Sequence, residues 1–296
     1  MDRREFIKVC SVMAAAGLLY GCRKIPFVGK ASSDESLSRA IPALKDFEDE
    51  VEKAMARGGK NLDLVKVPMP SILNASDADL QNRFGMAIDL DACNGCGKCI
   101  MACIVENNIP LVTEEEREKD RFMHWIKMRG DAPFMCAHCG DAPCEKVCPT
   151  GAANHTPDGL SAMMYKRCAG SRFCGANCPE KARKFNYNDA EELGLLRKFN
   201  AEVPVRGKGV MEKCSMCLQR LQNDRLRFKA EHPFNEWRGR NVKTACAEAC
   251  PRNAIIFGNW LDPESPLVKA AKHRELFAPR SIAKFDPSVV YMRGRR

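Results

Sequence analysis

Hydrophobic residues fall along this chain in patterns that divide it into parts. Val9 to Leu19 is an apolar run of eleven residues, too short to span a bilayer comfortably and of the size of a signal h-region. Between Ser36 and Arg57, Leu37, Ile41, Leu44, Phe47, Val51 and Ala54 or Met55 recur at helical spacing with charges between them. This predicts an amphipathic helix ended by Gly58-Gly59. Short strands are predicted at Gly85–Leu90, Leu160–Lys166 and Ala254–Phe257, with another at Phe122–Met128. A helix is predicted over Leu218–Glu231, and the charged run Glu114–Arg121 reads as a solvated turn. After residue 22 no segment approaches eighteen consecutive apolar residues, so membrane contact is left to the N-terminus or to a partner.

Between these elements lies the chemistry. Fifteen of the seventeen cysteines fall between Cys93 and Cys250, in four groups. The groups read Cys93-x2-Cys96-x2-Cys99-x3-Cys103, then Cys136-x2-Cys139-x4-Cys144-x3-Cys148-Pro149, then Cys168-x5-Cys174-x3-Cys178-Pro179, and finally Cys214-x2-Cys217 with Cys246-x3-Cys250-Pro251. Runs of this spacing hold iron–sulfur clusters, three thiolates from a tight loop and a fourth about one helical turn later, facing a second cluster. In the third group Ser171 stands where the pattern calls for cysteine. The chain therefore reads as a carrier of four clusters. Zinc uses tetrahedral sets of two separated C-x2-C pairs, a description that fits the fourth group alone. Disulfides suit an exported cysteine-rich chain but do not require these gaps. Haem attachment needs C-x-x-C-H, which does not occur.

The formal charge of +9 would suit a nucleic-acid partner. Thiolate-ligated clusters are themselves anionic, however, and Lys98, Lys146, Lys166, Arg167, Arg172, Lys181, Arg183, Lys184 and Lys213 lie close to the cysteines in sequence. No nucleic acid is expected. At the N-terminus, Arg3-Arg4-Glu5-Phe6-Ile7-Lys8 has the form of a twin-arginine export signal, a route for proteins that fold around cofactors before crossing. Leu19-Tyr20-Gly21-Cys22 has the form of a lipobox, which makes Cys22 a candidate lipidation site. The alternative is an uncleaved anchor with Cys22 a bystander. Cys10, inside the apolar run, reads as a small hydrophobe, and His124, beside Trp125 and without a metal-spaced partner, as structural.

On these cysteine groups, the chain from about residue 84 to 260 resembles the four-cluster iron–sulfur subunits of the complex iron–sulfur molybdoenzymes. These include subunits of polysulfide, tetrathionate, dimethyl sulfoxide and nitrate reductases and of the menaquinone reductase and alternative complex III assemblies. The resemblance implies an α+β fold of two intertwined ferredoxin-like modules of the bacterial 2[4Fe–4S] type, with long insertions and an N-terminal helical arm. The division of the chain is then 1–22 signal, 23–83 arm, 84–260 cluster domain and 261–296 C-terminal extension, the end of which reads as an interaction tail or disorder. Ligation carried over from the family gives one [4Fe–4S] cluster on Cys93, Cys96, Cys99 and Cys250, and a second on Cys103, Cys214, Cys217 and Cys246. A third takes Cys136, Cys139, Cys144 and Cys178. The fourth has only Cys148, Cys168 and Cys174.

With Ser171 at the remaining corner, the fourth site is expected to hold [3Fe–4S], because a serine hydroxyl is a poor acid and a hard donor beside soft iron–sulfur chemistry. Serine ligation is the alternative. The expected function is a non-catalytic relay of single electrons within an oxidoreductase complex. Implied partners are a periplasmic molybdopterin-type large subunit, a polytopic quinone-binding membrane subunit and a multihaem cytochrome c, at the periplasmic side of the cytoplasmic membrane. The export signal and the missing ligand most resemble the menaquinone-reducing branch. Polysulfide or tetrathionate reduction with electrons from menaquinol is the alternative within the family. Outside it stand an enzyme that binds substrate at the open corner and a zinc-binding or structural protein.

Overall fold

A computed structural model describes residues 62–70, 80–110, 114–187 and 199–294. The expected signal, Cys10, Cys22 and the helix over 36–57 lie outside the described residues.

The frame is a five-stranded sheet in the order β1 (Leu64–Lys66), β10 (Glu275–Pro279), β11 (Val289–Arg293), β2 (Phe84–Asp89), β9 (Ile255–Asn259). All neighbours are antiparallel except β11 and β2, which pair Val290 with Ala87 and Tyr291 with Ile88 in parallel. β2 is buried along its whole length because both faces of the sheet are covered. Successive side chains point to opposite faces. Phe84, Met86 and Ile88 accordingly join the large core with Tyr291, Phe257 and the cysteine loops, while Ala87 joins Val290, Met292, Trp260 and Leu267. Leu267 comes from a helix, Pro266–Ala271, whose N-cap Ser265 accepts a hydrogen bond from the Leu267 amide.

Smaller elements carry the cysteines. Helix α1 (Lys98–Glu106) packs against α6 (Ala245–Glu248), and α3 (Pro143–Lys146) against α4 (Phe173–Ala176). β2 enters the first cysteine group and its antiparallel partner β9 leaves the fourth. Likewise β5 (Ala153–His155) leaves the second group and pairs with β6 (Ser161–Met163), which leads into the third. A short pair, β7 (Lys184–Phe185) with β8 (Met211–Glu212), closes the insertion between the third group and the fourth. The helix at Leu218–Glu231, here α5, has the bounds expected from its periodicity.

Several elements differ from expectation. Residues 261–294 are built into the frame, and β11 sits inside the sheet, between β10 and β2. Of Phe122–Met128 only Lys127 and Met128 join a strand, β3 (Lys127–Arg129), paired with β4 (Ala132–Phe134). Met123, Trp125 and Ile126 are each at most 4% exposed, so this stretch is buried without the alternation of a half-covered strand. The expected strand at Leu160–Lys166 stops at Met163 and turns into a 3-10 helix, Tyr165–Arg167. The charged run forms a short helix, α2 (Glu114–Glu118), with Lys119 paired to Glu115 one turn earlier, the favourable orientation of such a pair.

The insertion leading into the fourth group is pinned by a buried ion pair. Arg206 donates to Glu212 at 2.8 Å, with side chains 2% and 0% exposed, and reaches the carbonyls of Asn107 and Asn108 just past the end of α1 at 2.6 and 3.1 Å. Helix-end carbonyls lack partners within the helix, and the guanidinium supplies them. Removing one member of such a pair strands the other in a dry interior, at a cost of about 3–5 kcal/mol. Glu212→Leu is therefore expected to lower the thermal midpoint of the cluster-loaded protein by several degrees, and Arg206→Met with Glu212→Leu to recover much of the loss. Equal loss in single and double variants would contradict the pairing. At Gly85 an added Cβ would collide with Ser288 O and the Trp260 indole nitrogen. Overpacking of this kind costs about 1–3 kcal/mol, and thermal unfolding of Gly85→Ala measures it.

Candidate functional site

Each cysteine loop turns at the same place. The residue two after the first cysteine has positive φ in all four: Gly95 at 67°, His138 at 45°, Gly170 at 69° and Met216 at 53°. This left-handed residue precedes Cys96, Cys139, Ser171 and Cys217, so the third loop keeps the turn although its second cysteine is a serine. Gly170 is required there twice over, since a Cβ would also meet the carbonyl oxygen of Gly209. The later cysteines of each group stand four residues apart on or just after a short helix: Cys99 and Cys103, Cys144 and Cys148, Cys174 and Cys178, Cys246 and Cys250. One helical turn separates the members of each pair.

The side chains converge in four sets. Burial pushes the Cys99 thiol up to about 12, and the neighbouring sulfurs of Cys96, Cys93 and Cys250 add to the rise. Cys103 is raised well above its ordinary value, by burial and then by Cys214, Cys217 and Cys246. Burial, followed by Cys136, Cys144 and Cys178, does the same to Cys139. Cys174 is raised by burial, with Cys148 and Cys168 beside it. Adjacent sets also feel one another: Cys99 acts on Cys103 and on Cys246, and Cys136 acts on Cys214. The second and third sets are joined at that point by His138, fully buried, whose Nε2 lies 2.9 Å from the carbonyl oxygen of Cys214.

These sets have the donor chemistry of an iron–sulfur site. All fifteen described cysteines are free of disulfides, and sulfurs this deeply buried ionise only if a positive charge is supplied among them. Among the described residues no three His, Cys, Asp or Glu side chains are spaced to hold a single metal ion. Amides already point at sulfur: Ala182 N to Cys178 at 3.4 Å, Ala254 N to Cys250 at 3.2 Å and Ala153 N to Cys148 at 3.4 Å, each just after a Cys-Pro step. Cys103, which no proline follows, receives the side-chain amide of Asn107 at 3.6 Å instead. Thiolates that accept such bonds are stabilised, and the bonds tune a cluster's potential.

The sets differ in depth. Every cysteine of the set around Cys103 is buried, whereas Cys148 and Cys168 are half-buried and Ser171 is exposed. Burial raises Cys148, but hydrogen bonds from Ala153 N and Thr150 outweigh it and bring the thiol below its ordinary value. Phe173 and Met164 stand 57% and 45% exposed beside this set. His124 is buried and stacks on Phe122, with ring centroids 5.7 Å apart. His138 and Asn107 were not singled out in the sequence. Asn107 has the i+4 spacing from Cys103 that could have flagged it, and His138 carries no such signal.

Comparison with known proteins places this geometry. The profile of the 4Fe-4S dicluster domain matches residues 80–152. The chain is 34% identical over 238 residues to the menaquinone reductase iron-sulfur cluster-binding subunit of Nitratidesulfovibrio vulgaris, covering 75% of this chain and 92% of that one. It is 33% identical to the Hdr-like menaquinol oxidoreductase iron-sulfur subunit 1 of Archaeoglobus fulgidus, over 71% and 83% of the two chains. With a tetrathionate reductase subunit of Salmonella typhimurium the identity is 25%, over 75% and 76%. The chain belongs to the iron–sulfur electron-transfer subunits of the complex iron–sulfur molybdoenzyme family.

Proposed function

We propose that the chain relays single electrons along four clusters in line, three [4Fe–4S] and one [3Fe–4S], between a molybdopterin-type large subunit and a quinone-binding membrane subunit, in menaquinone reduction. The observation that carries this reading is the succession of the sulfur sets: Cys99 neighbours Cys103, Cys136 neighbours Cys214, Cys144 and Cys174 pack in one hydrophobic cluster, and the last set reaches the surface at Cys148 and Cys168. When bound, the clusters supply the one-electron carriers. The protein's part is to hold them in order, exclude water from the middle of the line and leave the ends accessible.

In this reading Cys93, Cys96, Cys99 and Cys250 hold the first cluster and Cys103, Cys214, Cys217 and Cys246 the second. Cys136, Cys139, Cys144 and Cys178 hold the third, and Cys148, Cys168 and Cys174 the three-iron fourth. The two helix pairs and the β2/β9 and β5/β6 pairings support two ferredoxin-like modules, groups one and four forming the first and groups two and three the second. Ser171 keeps the loop turn but supplies a hydroxyl, a weak ligand for iron. Its exposed position beside Phe173 and Met164 suits the end that meets a partner. Among the described residues no helix is long and apolar enough to cross a membrane. Attachment is assigned to partners and to the N-terminus, exported by the twin-arginine route and anchored through Cys22. The menaquinone-linked names of two relatives support the choice of quinone.

The oxidised complex is expected to show a near-isotropic three-iron electron paramagnetic resonance (EPR) signal, lost in Ser171→Cys and replaced by a fourth reducible four-iron signal. Four four-iron clusters in the unsubstituted protein would defeat the three-iron assignment. Cys250→Ser should abolish or alter one four-iron signal and leave the three-iron signal intact. An effect on the three-iron signal alone would refute the ligand sets.

A further inference from the structure

The nine basic residues near the cysteine loops do not share one environment. Lys98, Lys146, Lys166, Arg167, Arg172 and Lys181 are exposed and Lys184 is half-buried, whereas Arg183 and Lys213 are 5% and 1% exposed. Lys213 directs its ammonium to main-chain carbonyls, those of Ser161 and Cys214. Arg183 points at sulfur. Its Nη2 donates to Cys144 Sγ at 3.0 Å and to Ser161 Oγ at 3.5 Å, and its Nη1 lies 2.9 Å from Met163 Sδ. The other donors to cysteine sulfur are neutral, among them the amides of Ala182, Ala254 and Met216 and the side chain of Asn107.

A buried guanidinium without a carboxylate partner is costly unless anionic charge lies beside it. Here the sulfurs provide it. Cys144 does so directly, through the 3.0 Å contact with Nη2. The guanidinium is thus a permanent cation, and its hydrogen bond to a thiolate is charge-assisted, roughly twice as strong as a neutral one. Main chain and side chain act together, since the amide of the preceding residue, Ala182, donates to Cys178.

We propose that Arg183 sets the reduction potential of the cluster held by Cys136, Cys139, Cys144 and Cys178, raising it by stabilising the added negative charge of the reduced state. The proposal rests on the reading of those four cysteines as ligands. One electron enters and no proton moves, because the guanidinium is protonated throughout. Potentials of such clusters follow net charge and hydrogen bonds to sulfur. Its sulfur contact is with Cys144 of this set, and Cys174 of the next set only shares the packed hydrophobic cluster of Cys144. The residue therefore raises the third cluster most and the fourth less, bringing the third toward the higher potential expected of a three-iron neighbour.

The test is a redox titration of the intact complex followed by EPR, with Arg183→Met removing charge and donors and Arg183→Lys keeping the charge on a single-point donor. At a fixed potential, Arg183→Met should shift the oxidised-to-reduced ratio of one four-iron cluster toward oxidised at least tenfold, equivalent to about 59 mV for a one-electron couple. The three-iron cluster should shift less, the other two not at all, and Arg183→Lys should retain more than half of the original potential difference. Four unchanged midpoints at full iron loading would overturn the proposal. If Arg183→Met assembles without that cluster, nitrogen hyperfine coupling in 15N-arginine-labelled unsubstituted protein decides: coupling at one four-iron cluster upholds the proposal and its absence overturns it. An unsubstituted complex without iron and sulfide would instead defeat the underlying ligand reading.

Discussion

Gathering anionic sulfur in a dry interior is the constraint to which the rest of this structure answers. A buried thiol resists ionisation, and several together resist it more, as the rise of Cys99 and Cys246 to about 12 expresses. Bound iron would supply compensating charge, and the protein adds contacts to sulfur from amides, Asn107, Thr244 and Arg183. The backbone must be bent to aim those donors. That is why the same left-handed turn recurs in four loops of unrelated sequence, carried by glycine in two and by His138 and Met216 in the others.

Loops that serve sulfur cannot also build a core of their own, so the chain supplies a frame beside them. One face of the five-stranded sheet packs on the cysteine loops through Phe84, Met86, Ile88 and Tyr291, and the other face is closed by Trp260, Leu267 and Leu276. The Tyr291 hydroxyl donates to the Pro133 carbonyl at 3.0 Å, tying the sheet to the segment before the second group. Arg206 and Glu212 do the equivalent task for the insertion before the fourth. Rigidity of this kind matters for a relay, because electron transfer depends on fixed separations and offers no substrate-driven closure to correct them.

Depth varies along the line in a way that suits transfer. The set around Cys103 lies wholly inside, the set around Cys139 has Cys136 and Cys144 buried with Cys139 and Cys178 half-buried, and the set around Cys174 lies near a surface with exposed Phe173 and Met164. Neutral amides donate to several of the sulfurs, whereas Cys144 receives a charged donor.

Much of this was legible in sequence because its cause is local. Cysteine spacing follows from the geometry of a loop around a cluster and one turn of helix, so the groups and the odd Ser171 stand out without a structure. The helix at Leu218–Glu231 and the strand at Phe84–Asp89 likewise follow from local periodicity. What sequence could not show depends on contacts between distant residues. β11 enters the sheet because Val289–Met292 find β2 some two hundred residues earlier, and nothing local in the last residues announces that partner. Met123–Ile126 is buried for lack of exposure on either side, a fact of packing rather than of pattern. Nine basic residues looked equivalent, and only the fold, by burying Arg183 against Cys144 while leaving six others in solvent, decided which one meets a cysteine sulfur. Residue type and spacing thus determined the chemistry this protein carries, and tertiary structure decided its charge environment, because electrostatic strength depends on burial and burial is a property of the whole fold.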